Sequence, residues 1–171
     1  AKAELPRRIA LSEASFRKVL DDARTEPNFK MTSWLGLAKM TALRGAHDES
    51  LRWCRKYEEQ VVRSREFWEK QPETYATRLF GARLQEAELR DVLGNTLFKL
   101  GQFPAAEAEL DRLVALQPQR ASAYGNRGVL RESRGAWDLA RSDYGRFLQL
   151  TDKTADDPDL LEVEKRKLLC E

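Results

Sequence analysis

His47 and Cys54 stand seven residues apart, so on a helix both would project from one face. A thiol beside an imidazole is the pattern of a cysteine nucleophile, and that chemistry needs a third polar group to orient the imidazole. No such group is evident. A free cysteine in a core ordinarily behaves as a small apolar residue, and both side chains are read as packing. His47 is the only histidine, and Cys170 the only other cysteine. That leaves no basis for a histidine-rich metal site, a zinc spacing or a disulfide framework. No catalytic residue, metal or cofactor is expected, and the chain reads as a non-enzyme.

Two other groups could do chemistry. Arg127, Arg131 and Arg134 fall on one helical stripe with Arg120 nearby, which would suit a phosphate or another anion. The favoured alternative is internal neutralisation by a following helix whose start carries Asp156, Asp157, Asp159 and Glu162. The four tryptophans, Trp34, Trp53, Trp68 and Trp137, could form a ligand cage, and their fate depends on the elements that carry them.

Composition narrows those elements. Of the 171 residues 42% are apolar and 34% charged, with 30 basic against 28 acidic residues and a net charge of +2. This is too apolar and too balanced for a disordered chain. Residues 1–86 carry 17 basic and 13 acidic residues, the remainder 13 and 15. So mild an asymmetry argues against nucleic acid as the ligand. No apolar run approaches the roughly 18 residues of a membrane span, and the first six residues lack the apolar core of a signal peptide. The expectation is a soluble protein, with the cytoplasm favoured. Nine glycines and six prolines are few enough for long helices.

The chain repeats itself at 34 residues. At that offset Gly94 lies over Gly128, Gly101 over Gly135, Phe103 over Trp137 and Ala106 over Ala140. Leu110 then lies over Tyr144, Leu113 over Phe147 and Leu116 over Leu150. Leu93, Leu97 and Leu100 recur at helical spacing, Gly101-Gln102 interrupts, and Phe103 to Leu116 continue a second amphipathic run. Gly101 and Gly135 fit a left-handed residue that ends a helix, and Pro118 stops the next one. Such a hairpin cannot bury its apolar face alone and must stack on neighbours.

Residues 87–120 and 121–154 resemble tetratricopeptide repeats, with small, large and proline sites in the family's order; Asp152 stands where the first copy has Pro118. A divergent copy at about 31–64 places Gly45 on the turn, Trp34 at the site of Arg90 and Tyr124, and Ser50 at the site of Ala106. Cys54 then falls on the site of Leu110 and His47 on that of Phe103. Trp34 and Trp137 become packing residues. The extra residues 65–86, broken at Gln71-Pro72, are read as extensions of two helices at about 47–70 and 73–100, lengthening that hairpin by roughly 16 Å. Trp68, on this extension and outside the repeat pattern, is expected to be a secondary interface.

The ends complete the expectation. Residues 8–24 place Ile9, Ser12, Phe16, Val19, Leu20 and Ala23 on one face, as the second helix of a repeat would. Asp157-Pro158 starts a capping helix at 155–171 whose Leu161, Leu168 and Leu169 cover the last repeat. The fold class is all-α, a single right-handed superhelical helix-turn-helix solenoid over 1–171 with about seven helices.

The resemblance implies a protein-binding scaffold, in which first helices line a concave groove that takes a peptide or protein segment. Asn95 and Asn126 match family sites where an amide holds a ligand backbone. Asp91, Asn95 and Lys99 share a stripe, and Val129 and Glu132 would join the groove from the next helix. Family members that clamp acidic chaperone tails use groove lysines and an arginine. Here Asp91 stands where the first clamp lysine would be, so an acidic tail is not the expected partner. The alternative is a docking or regulatory piece of a larger enzyme or assembly. Binding to RNA or a membrane surface ranks below both.

Overall fold

The computed structural model describes residues 4–70, 76–152 and 157–170. Among them are no strands and eight helices, against about seven expected. They are α1 (Glu4–Asp21), α2 (Pro27–Leu43), α3 (His47–Glu69), α4 (Ala76–Lys99), α5 (Phe103–Leu116), α6 (Ala121–Ser133), α7 (Trp137–Leu150) and α8 (Pro158–Leu169). The Gln71-Pro72 break and Asp156 lie outside the described residues. The helices fall into two compact units, Ala1–Gly101 and Gln102–Glu171. No helix among the described residues is long and apolar enough to cross a membrane.

Three glycines punctuate the helices. Gly45, Gly101 and Gly135 have φ of 83°, 73° and 74°, a region that a Cβ disfavours. At Gly45 the terminal carbonyls are closed by Ala46 N–H to Thr41 O at 2.9 Å and Gly45 N–H to Ala42 O at 3.0 Å. The same pair recurs at Gly135, from Ala136 to Arg131 and from Gly135 to Glu132, both at 2.9 Å. The start of α8 is fixed differently: Asp157 Oδ1 accepts the Leu160 N–H at 3.4 Å, with Pro158 in the first turn.

In the first unit α2 packs on α1, α3 and α4, and α3 packs on α4. Contact between a helix and the next but one is what stacked hairpins produce. The core gathers Leu37, Ala38, Cys54, Tyr57, Val61, Ala87, Leu89 and Leu93, all buried. Small residues permit the close approaches: a Cβ on Gly36 would lie 2.4 Å from the Phe16 ring. Ser50, fully buried, donates to the Ala38 carbonyl at 2.8 Å, so its oxygen accepts from the Thr96 hydroxyl at 3.1 Å. On α1, Ile9 is buried and Ser12, Phe16, Val19 and Leu20 are half-buried, whereas Ala23 lies beyond the helix and is exposed. Glu13, also buried there, accepts from Arg44 Nε at 2.9 Å, and Arg44 and Arg17 share Glu49.

In the second unit α6 packs on α5 and α7, and α7 on α8. Gly128 and Ala140 are the small sites: a Cβ on Gly128 would lie 2.6 Å from Tyr144 Cε1. Ala140, Tyr144 and Cys170 form a buried cluster against which Val129 and Val163 pack. Two expectations need correction. Leu161, Leu168 and Leu169 do not cover the repeat; they are exposed, and Leu160, Val163 and Cys170 are buried or packed in their place. The buried face of α8 is thus the opposite one. Trp137, expected in the packing, is 50% exposed, because as the first residue of α7 it stands at the hairpin's rim.

Candidate peptide-binding surface

On α4, Asp91, Asn95 and Lys99 occupy three successive turns, as i, i+4 spacing requires. Asp91 and Asn95 are half-buried and Lys99 is exposed. The Asn95 amide donates to the Asp91 carbonyl and to Asp91 Oδ1, both at 2.9 Å. Its donors therefore face back along the helix, and its side-chain oxygen is the acceptor left to a ligand. Lys99 lies against the Phe98 ring at 5.6 Å.

On α6, Asn126, Val129 and Glu132 are half-buried, and the last two are engaged inside their own unit. Val129 packs on the Ala140–Tyr144–Cys170 cluster. Glu132 accepts from the Tyr144 hydroxyl and from Arg166 Nη1 at 2.9 Å, so one carboxylate ties α6, α7 and α8 together. Burial, with Glu132 second, pushes the Tyr144 phenol well above its ordinary range, and the Glu132 contact raises Arg166. Two of the six residues expected to line a groove thus serve the packing of their unit.

The arginine stripe is neutralised internally, but not by the acids expected. Arg127 grips Asp143 with two bonds, at 3.0 and 2.7 Å, and reaches Asp111 at 2.8 Å. Arg131 bonds Asp143 at 2.9 Å and Glu107 at 3.0 Å, and Arg134 also bonds Glu107. The carboxylates come from α5 and α7 rather than from the start of α8. Asp157 caps α8 instead, Glu162 pairs with Arg166 on its own helix, and Asp156 and the Asp159 side chain lie outside the described residues.

Arg90, aligned with an aromatic site, is buried in the first unit. It donates to Glu86 at 3.0 Å and to Glu58, and Arg65 pairs with Glu86 at 3.0 Å. At the end of α3 Trp68 is half-buried, with Phe67 edge-on at 4.7 Å and the Arg78 guanidinium 5.1 Å from its ring centre. Phe67 and Phe80 are more exposed than Trp68, and no periodic signal marks them because they fall on the extra residues. Trp53 is covered by Lys56 at 5.0 Å and Arg17 at 5.9 Å. Cys54 is fully buried and its thiol is pushed up to about 12 by that burial, the reverse of a nucleophile's activation. His47 begins α3 with Nδ1 buried.

The family model for the tetratricopeptide repeat matches residues 93–166, the stretch that holds two of the three left-handed turns. Over those residues the chain carries tetratricopeptide repeats. Solved repeat domains share the fold. The first such domain of human RPAP3, determined by NMR, is 18% identical with a TM-score of 0.57, over 82% of this chain and 94% of that one. The first repeat domain of Spaghetti (RPAP3), bound to the HSP90 peptide SRMEEVD, is 20% identical with a TM-score of 0.57, over 83% of this chain and 94% of its own. Among curated proteins no sequence matches the chain.

Proposed function

We propose that the protein is a non-catalytic scaffold whose first helices hold a peptide or protein segment, with Asn95 as an anchor on the α4 stripe. Asn126 is the matching anchor of the second unit. The observation that carries this reading is the Asp91–Asn95 pair. The side-chain amide is fixed in one orientation by two bonds to Asp91, which leaves its oxygen preorganised to accept a backbone N–H. The repeat fold supports the same reading, since a neighbouring domain of that fold was solved with a peptide bound.

The same pair sets the preferred ligand. A carboxylate at Asp91 repels an acidic tail, so the segment taken is neutral or basic. Trp68, with the exposed Phe67 edge-on beside it, is a secondary contact. Selection from a displayed peptide library with the 171-residue chain tests the proposal. Wild type should enrich neutral or basic segments and leave SRMEEVD unbound, and Asp91→Lys should shift selection toward acidic segments. Asn95→Ala with Asn126→Ala should lose the selected peptides at unchanged helicity. Tight binding of SRMEEVD by wild type would overturn the ligand class, and undiminished binding by the double variant would overturn the anchors.

A further inference from the structure

The face that α8 turns away from its unit carries a pattern that reads the same in both directions. Leu161, Leu168 and Leu169 are 43%, 63% and 79% exposed, although Leu160, Val163 and Cys170 of the same short segment are buried or packed. Leu161 and Leu168 are seven residues apart, so they share a stripe two turns long. Between them lie Glu164 and Lys165, both exposed, and neither makes an ion pair among the described residues. The neighbouring charges are engaged: Arg166 bonds Glu132 and Glu162. An apolar stripe with one unused acid and one unused base at its midpoint is self-complementary.

We propose that this face docks on the same face of a second copy of the chain, with the two α8 helices antiparallel about a two-fold axis. The residue numbers fix the register. Leu161 and Leu168 are centred on the point between Glu164 and Lys165, so setting Leu161 against the partner's Leu168 sets Glu164 against the partner's Lys165. Each contact occurs twice, as a two-fold interface requires. Parallel pairing would instead oppose Glu164 to a second Glu164 and Lys165 to a second Lys165. A twelve-residue helix offers less than the roughly 800 Å² per partner of a standard interface, so the dimer is weak, with Kd of about 10 to 100 μM.

Sedimentation equilibrium on the full chain, from about 1 μM to about 500 μM, tests this. Wild type should move from one to two chain masses over that range, and Leu161→Ser with Leu168→Ser should stay monomeric at unchanged helicity. The charge pair gives the decisive arm. Glu164→Lys alone and Lys165→Glu alone should each weaken self-association by at least tenfold, since each opposes like charges. An equimolar mixture of the two single variants should associate again, because every crossed contact is then opposite in sign, and the double exchange in one chain should dimerise like wild type. A wild type that remains monomeric to the highest concentration would overturn the proposal and assign the stripe to another occupant. Dimerisation indifferent to the charge exchanges would overturn this interface in particular.

Discussion

The two units solve the same problem with opposite residues. At sites related by the 34-residue offset, Arg90 in the first unit stands where the second has Tyr124. Leu93 and Leu97 of the first stand where the second has Arg127 and Arg131. In the first unit the charge is deep: Arg90 is 3% exposed and reaches Glu86 and Glu58 on its own and the adjacent helix. In the second the charges form a ladder running from Glu107 and Asp111 on α5, through Arg127 and Arg131 on α6, to Asp143 on α7. Charge at a packing site is thus tolerated wherever flanking helices bring carboxylates to meet it. At these sites the repeat constrains size and shape more than polarity.

The largest effect should come from breaking the deep arrangement. Arg90→Ala leaves Glu86 in the core with Arg65 alone, and should cost about 3 to 5 kcal/mol in denaturant unfolding. A loss below about 1 kcal/mol would mean that Arg65 suffices. Asp143→Ala removes the centre of the ladder but leaves both arginines the more exposed Asp111 and Glu107, so about 2 to 3 kcal/mol is expected by the same measurement.

Next in size is the alkaline contribution of the first unit's buried thiol. Cys54 is raised from 9.0 to about 12, so the unfolded chain loses this proton first. The contribution is complete below pH 9 and is lost as pH rises toward 12, at about 1 kcal/mol per pH unit. The difference between wild type and Cys54→Ala, followed from pH 8 to 10.5, should show that slope. Glycines sharpen the contrast further. Gly128→Ala drives a Cβ into Tyr144 and should cost about 1 to 2 kcal/mol. Gly81→Ala on α4 meets nothing within 4 Å and should stabilise by up to about 1 kcal/mol. The smallest change belongs to the rim: Arg134→Ala should lower the unfolding free energy by less than about 1 kcal/mol.

Much of the fold is legible in the sequence where a local requirement dictates a residue type. The turns at Gly45, Gly101 and Gly135 need φ above zero, and Asp157-Pro158 starts a helix by its own chemistry, so each is visible without any partner. Phase is harder. The α8 segment offers leucines at 160, 161, 168 and 169, and a twelve-residue helix fits a core with either face; packing of Val163 and Cys170 with Ala140 and Tyr144 selects the face, and with it the burial of Leu160. Ion-pair partners are harder still. Arg127 and Arg131 announce that they need carboxylates, yet Asp143 is chosen by the crossing of α6 and α7. The candidate site shows the same divide: the Asp91–Asn95 bond follows from i, i+4 spacing, whereas the capture of Glu132 by Tyr144 and Arg166 needs three helices at once.

The long arm of the first unit carries a consequence for how such chains change length. Helix α4 has 24 residues against 13 in α6, a difference of 11. At 3.6 residues per turn, 11 residues make about three full turns and overshoot by only about 20°. An arm extended by that amount returns its stripes almost to their starting azimuth, so Arg90 and Leu93 meet α3 as they would on a short arm. Insertions of this size are rotationally silent. One or two residues more would turn the buried stripe toward water. The natural unit of growth or trimming for this arm is therefore the three-turn block.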